Sequence, residues 1–97
     1  MSAEVRQWDI GTWIDIDMGE DVSGAVTRKL IYYKPNGETG TWVAVSRGTE
    51  VIGYQTVAGD LDIPGTWRIQ GFATFATGSW TSTEALLEVN RAFERVV

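Results

Sequence analysis

Closely spaced carboxylates are the residues of this chain best suited to chemistry, and they occur in two places. Asp15-Ile16-Asp17-Met18-Gly19-Glu20-Asp21 alternates oxygen donors as a calcium loop does. Such a loop also needs glycine at its sixth position for the sharp turn. Counted from Asp15, the sixth position holds Glu20 and the glycine stands fifth, so a solvated strand face running into an acidic turn is expected instead. Asp60 and Asp62 form the second pair, and two carboxyl groups about 5–9.5 Å apart can hydrolyse a glycosidic bond between them. Alternation around Leu61 turns both to one side, with no apolar cleft nearby to raise the pKa of an acid catalyst. A corner with Leu61 pointing inward between solvated carboxylates is the expectation. The chain has no His and no Cys, which removes imidazole bases and ligands, thiol nucleophiles, thiolate metal sites and disulfides. No catalytic residue, metal or cofactor is expected, and the chain reads as a non-enzyme.

Five tryptophans are the other chemically distinctive residues. Trp42 and Trp67 sit in strands expected to be central, where large aromatics are usually buried. Trp13 shares a strand face with Asp15 and Asp17, so either another chain or the N-terminal segment around Trp8 covers it, or that face is mixed. Trp80 follows the Gly78-Ser79 turn and can act as a loop-tip contact. Trp8, Trp13 and Trp80 are therefore candidate interface residues, since indoles are enriched among interface anchors. Phe93, Val96 and Val97 near the C-terminus are candidates of the same kind, an arm that orders against a neighbouring subunit.

The elements that must position these residues are strands. Eleven Gly and two Pro punctuate short runs rich in Val, Ile, Thr, Trp and Tyr, the pattern of many short strands joined by turns. Over residues 12–18, Ile14, Ile16 and Met18 fall on one face and Trp13, Asp15 and Asp17 on the other. Pro35-Asn36-Gly37 predicts a hairpin from Tyr33 into Trp42, with a returning strand over 41–46. A strand follows from about Glu50 to Thr56, in which Gly53 signals a bulge or close packing. The connection 57–65 crosses between sheets into the strand that holds Trp67, Ile69 and Gly71 on one side, and a last strand runs from about Trp80 to Val89. That makes about seven strands in an antiparallel β-sandwich. Ninety-seven residues leave room for one domain, 1–97, with residues 1–9 and 90–97 as possible arms.

Charge and hydropathy narrow the partners. Eight Lys and Arg against thirteen Asp and Glu leave a net charge of −5 and no basic run, which argues against nucleic acid. The N-terminal MSAEVRQWDIG has neither the basic start nor the apolar run of a secretory signal, and no apolar stretch reaches about 18 residues. Synthesis in the cytoplasm and no membrane partner are expected.

Asp60-Leu61-Asp62-Ile63-Pro64-Gly65-Thr66-Trp67 resembles the corner of immunoglobulin-like domains, with Trp67 where Tyr is usual. Asp60, Leu61, Gly65 and Trp67 are the expected fold-defining residues. Whether an indole, which only donates, replaces the phenol's hydrogen bond to upstream backbone is open at this stage.

A wider resemblance runs from Asp9-Ile10-Gly11-Thr12 through Asp21-Val22-Ser23-Gly24-Ala25, Lys34-Pro35-Asn36-Gly37, Gly40-Thr41-Trp42 and Ala58-Gly59-Asp60-Leu61-Asp62 to Gly65-Thr66-Trp67-Arg68-Ile69-Gln70. This order is similar to tail-associated β-sandwich proteins of tailed bacteriophages, related to the N-terminal domain of baseplate upper proteins. The resemblance implies a non-enzymatic virion subunit at the tail or baseplate, contacting other virion proteins and copies of itself through edges, loops and termini. A capsid decoration protein and a carbohydrate-binding module that touches host glycans through Trp13 or Trp80 are the alternatives.

Overall fold

A computed structural model describes residues 4–82 and 84–91, and among these all regular structure is strand. In chain order the strands are β1 (Glu4–Arg6), β2 (Trp13–Asp17), β3 (Thr27–Tyr33), β4 (Thr39–Val43), β5 (Val45–Ser46), β6 (Val51–Gln55), β7 (Gly65–Phe75), β8 (Gly78–Thr81) and β9 (Ala85–Asn90). One sheet runs β1-β9-β7-β3-β4, with β8 also on β7, and the other runs β2-β6-β5. Every pairing is antiparallel except β1 with β9. The expected β-sandwich is the observed architecture.

Alternation explains which faces meet. Ile14 and Ile16 of β2 point inward between exposed Asp15 and Asp17, and Met18 packs on the core beyond them. Across the sandwich, β7 presents Trp67, Ile69, Gly71 and Ala73 to the same interior. Leu30, Ile52, Leu61 and Trp67 are entirely excluded from solvent. The sheets approach closely at Gly71, where a Cβ would lie 2.5 Å from the Met18 sulfur. Gly53 lies in close packing too, because the β2–β6 register passes through it unbroken while a Cβ would fall 2.2 Å from Asp15 Oδ1.

Three expected elements differ. The run 41–46 is two strands, because the chain leaves one sheet at Val43 and enters the other at Val45. Buried Ala44 is the pivot, its N–H donating to the Arg28 carbonyl at 3.0 Å; one small residue suffices to cross between layers. The run 80–89 is also divided: β8 pairs with Phe72–Phe75 and β9 with Gly65–Ile69, so the eleven residues of β7 are shared end to end. Ser82 makes the junction, its Oγ accepting the Gly71 N–H at 2.7 Å and its own N–H donating to the Gly71 carbonyl at 2.9 Å. Residues 4–6, within the expected N-terminal arm, form β1 beside β9 with Val5 buried. At the other end Asn90 closes β9. Phe93, Val96 and Val97 lie outside the described residues.

Candidate functional site

The corner is built from the turn upward. Gly65 has a φ of +130°, which glycine adopts without strain, and a Cβ there would lie 2.8 Å from Pro35 Cγ. The turn delivers Trp67 into the core, where its Nε1–H donates to the Ile63 carbonyl at 2.9 Å. The indole thus supplies the back-bond that a phenol makes in immunoglobulin-like corners. Leu61 fills the interior beside it. The two flanking carboxylates are each committed: Asp60 Oδ2 accepts the Tyr54 O–H and the Val57 N–H, both at 2.7 Å, and Asp62 Oδ1 pairs with Lys34 Nζ at 2.9 Å.

Lys34 lies over the faces of Trp67 and Tyr32, with its ammonium 5.3 and 5.8 Å from their centroids. Burial pulls its pKa down, but Asp62 and the surrounding negative charge outweigh this and hold it above the ordinary lysine value. Tyr54 stacks on Trp42 at 4.8 Å, and burial together with the bond to Asp60 pushes its pKa up to about 12. This raised value has a consequence for stability. A phenol whose folded pKa exceeds its unfolded value of about 10 contributes fully below that pH, and the contribution fades as pH rises toward 12. Calorimetry from pH 9 to about 12 should show the wild-type Tm falling more steeply than that of Tyr54→Phe; identical slopes would show that Tyr54 is not the responsible group.

The candidate interface tryptophans have different surroundings. Trp13 is half-buried beneath Arg47, whose guanidinium carbon lies 3.7 Å from the ring centroid while its Nε–H donates to Asp15 Oδ1 at 3.0 Å. Its cover comes from β5's own turn rather than from the segment around Trp8. Trp8 has a φ of +72° and its N–H donates to the Leu61 carbonyl at 2.7 Å, fastening the N-terminal segment to the corner. Trp80, 40% exposed, meets Phe75 edge-on at 4.7 Å on the β7–β8 hairpin. The three are therefore not one surface. In the acidic turn, Asp17 accepts the Gly19 N–H and Asp21 accepts the Ser23 N–H and hydroxyl. These carboxylates stabilise local turns one by one, and among the described residues no group of three or more His, Cys, Asp or Glu is placed to hold a metal ion.

A further surface emerges at the free edge of the larger sheet. The Ala44 N–H reaches the Arg28 carbonyl and the Lys34 N–H the Glu38 carbonyl, which fixes the phase of the β3–β4 ladder. Pairing alternates along an antiparallel ladder, so the N–H and C=O of Thr39, Thr41 and Val43 point away from β3. Their side chains are exposed as well, Val43 by 80%. Beside this edge lies a concavity of about 460 Å³ that includes Val26, Val43, Phe72 and Thr41. The alternation of Thr39, Thr41 and Val43 was visible in the sequence, but which strand ends a sheet is a property of topology.

No family model and no curated protein matches the chain. Among solved structures, it is similar to CopC from Methylosinus trichosporium OB3b, with a TM-score of 0.61 and 9% identity over 99% of this chain and 89% of that one. At that identity the likeness is one of fold. It corrects the expectation of a phage tail, baseplate or capsid subunit and its glycan-binding alternative, because the similar solved chain is CopC and not a phage protein. The physical reason lies in the motifs that suggested it. Asp21-Val22-Ser23-Gly24-Ala25 makes an Asp21–Ser23 turn, Lys34-Pro35-Asn36-Gly37 a hairpin and Asp60-Leu61-Asp62 a corner; such turn chemistry specifies a sandwich and not its use.

Proposed function

We propose that this chain is a non-enzymatic protein-binding module that takes an extended segment of its partner as an added strand on β4. The observation that carries the reading is the outward row of backbone donors and acceptors at Thr39, Thr41 and Val43, set among uncharged, mostly β-branched side chains. Unpaired edges invite further strands, and proteins usually blunt them with charges, Pro, bulges or brevity. The other edges have such protection: β1 is three residues long, β5 has two and β8 only four, and β2 exposes Asp15 and Asp17. β4 has none of these devices. Strand addition supplies affinity through the main chain and selectivity through alternate side chains.

Amide exchange tests the reading. An extended peptide of alternating Thr and Val should slow exchange at Thr39, Thr41 and Val43 by about tenfold or more, as new ladder bonds would. Thr41→Pro removes an N–H that faces outward, which an edge strand tolerates, so the variant should fold normally and lose the protection. Unchanged exchange at all three amides in the wild type would reject the proposal.

A further inference from the structure

We infer that the strand accepted on β4 is acidic, with carboxylates at the alternate positions that lie over the outer face beside Val43; this rests on the strand-addition reading above. The chain as a whole is acidic, at −5, yet no carboxylate lines the concavity beside β4, and the charge that the outer face presents there is the Lys29 ammonium. Local charge therefore opposes global charge at the place where the backbone is open.

Of the two cations that border the hollow, Arg28 is committed and Lys29 is not. Arg28 donates through Nη2 to the carbonyls of Val22 and Ser23, at 3.2 and 2.8 Å, which anchors the guanidinium. Arg28 pairs with Ala73, so its side chain lies on the inner face of the sheet, its Nε buried out of reach of an added strand. Lys29 holds its ammonium 4.9 Å from the Phe72 centroid, and among the described residues it has no ion pair. The ion-paired cations are spoken for, Lys34 by Asp62, Arg47 by Asp15 and Arg68 by Glu84. An apolar floor beneath an unpaired ammonium lowers the local dielectric, which strengthens an incoming charge–charge contact.

Register places the contact. Lys29 lies directly beside Val43, and both point to the outer face. A strand added to β4 lies one spacing of about 4.8 Å beyond Val43, so a Glu opposite Val43 is two spacings from Lys29, within joint reach of two long side chains. Apolar neighbours in the same strand would rest on Val26 and Phe72. A basic strand would place like charges together in the same hollow. The occupant is thus an extended partner segment that alternates acidic and β-branched residues, and electrostatic complementarity selects it over its basic counterpart.

The test uses the full chain and three extended peptides of alternating Thr and Val, identical except that every fourth residue is Glu, Gln or Lys. Fluorescence anisotropy should rank them Glu, Gln, Lys, with about tenfold or more between the first and last at low salt and a much smaller gap at 1 M salt. Lys29→Glu should reverse the order while leaving the fold intact, because the side chain is on the outer face. Equal affinity of the three peptides, with protection at Thr39, Thr41 and Val43, would overturn the charge selection and leave strand addition standing. No binding by any peptide would overturn both. Concentration-dependent dimerisation by sedimentation that Thr41→Pro abolishes and the Glu peptide fails to displace would assign the edge to a second copy and overturn the acidic partner.

Discussion

Trp67→Ala is expected to bring this protein to the edge of unfolding. The indole is fully buried at the corner, within ring contact of Tyr32 at 5.7 Å and Trp42 at 6.0 Å, and its Nε1–H is bonded to the Ile63 carbonyl. Replacing a buried Trp by Ala costs ~3–5 kcal/mol in transfer and cavity terms. Whole domains of this size are stable by only ~5–15 kcal/mol. That loss is about a fifth of the total at the least and all of it at the most, so urea denaturation should show a sharply lowered midpoint or no folded baseline. Trp67→Phe separates the two contributions, keeping most of the packing and deleting the back-bond. Its expected loss is about 1–2 kcal/mol, or roughly 4–8 °C in Tm for each of those kcal/mol. A loss below about 1 kcal/mol for Trp67→Ala would show that the corner is not what closes the sandwich.

Gly40→Val should have the next largest effect, through overpacking. A Cβ on Gly40 would lie 2.1 Å from the Tyr32 hydroxyl oxygen and 2.3 Å from Cζ, so the phenol ring lies across the glycine. The ring has nowhere to go. Trp42 is 4.6 Å away, Trp67 5.7 Å, and the Lys34 ammonium lies over its face, while Trp42 is itself stacked on Tyr54. Gly40→Ala should lose ~1–3 kcal/mol and Gly40→Val at least the upper end of that range. Gly24→Ala is the comparison, since nothing lies near its Cβ position and its backbone is not left-handed; its effect should stay within about 0.5 kcal/mol. Tyr32→Ala should remove much of the penalty of Gly40→Ala, a coupling that a double-mutant cycle measures directly. Additive losses would mean that the ring does not oppose the methyl group.

The two largest expected effects differ in how far sequence reasoning reached their sites. The pairing of Leu61 with Trp67 at a corner was legible, because a turn glycine and an alternating apolar residue leave few alternatives. The indole's hydrogen bond was not, since its acceptor at Ile63 depends on how the turn closes. Gly40 gave no signal at all, because its neighbour Tyr32 is eight residues away and meets it only through the β3–β4 register. Trp13 illustrates the opposite failure. Its exposed, mixed face was visible, but Arg47 is brought over it by a sheet switch at Ala44 that leaves no periodic mark.

The β class, the inward faces of β2 and β7, the Pro35–Gly37 reversal and the corner were determined by sequence alone, for they rest on period-two alternation and on backbone angles that single residues prefer. Tertiary structure decided what sequence spacing does not encode: that β4 ends a sheet, that β7 is shared between β8 and β9, and that Lys29 stands one strand away from an open row of N–H and C=O groups. Local preferences act over a few residues, whereas edges and hollows exist only after distant strands have chosen their neighbours.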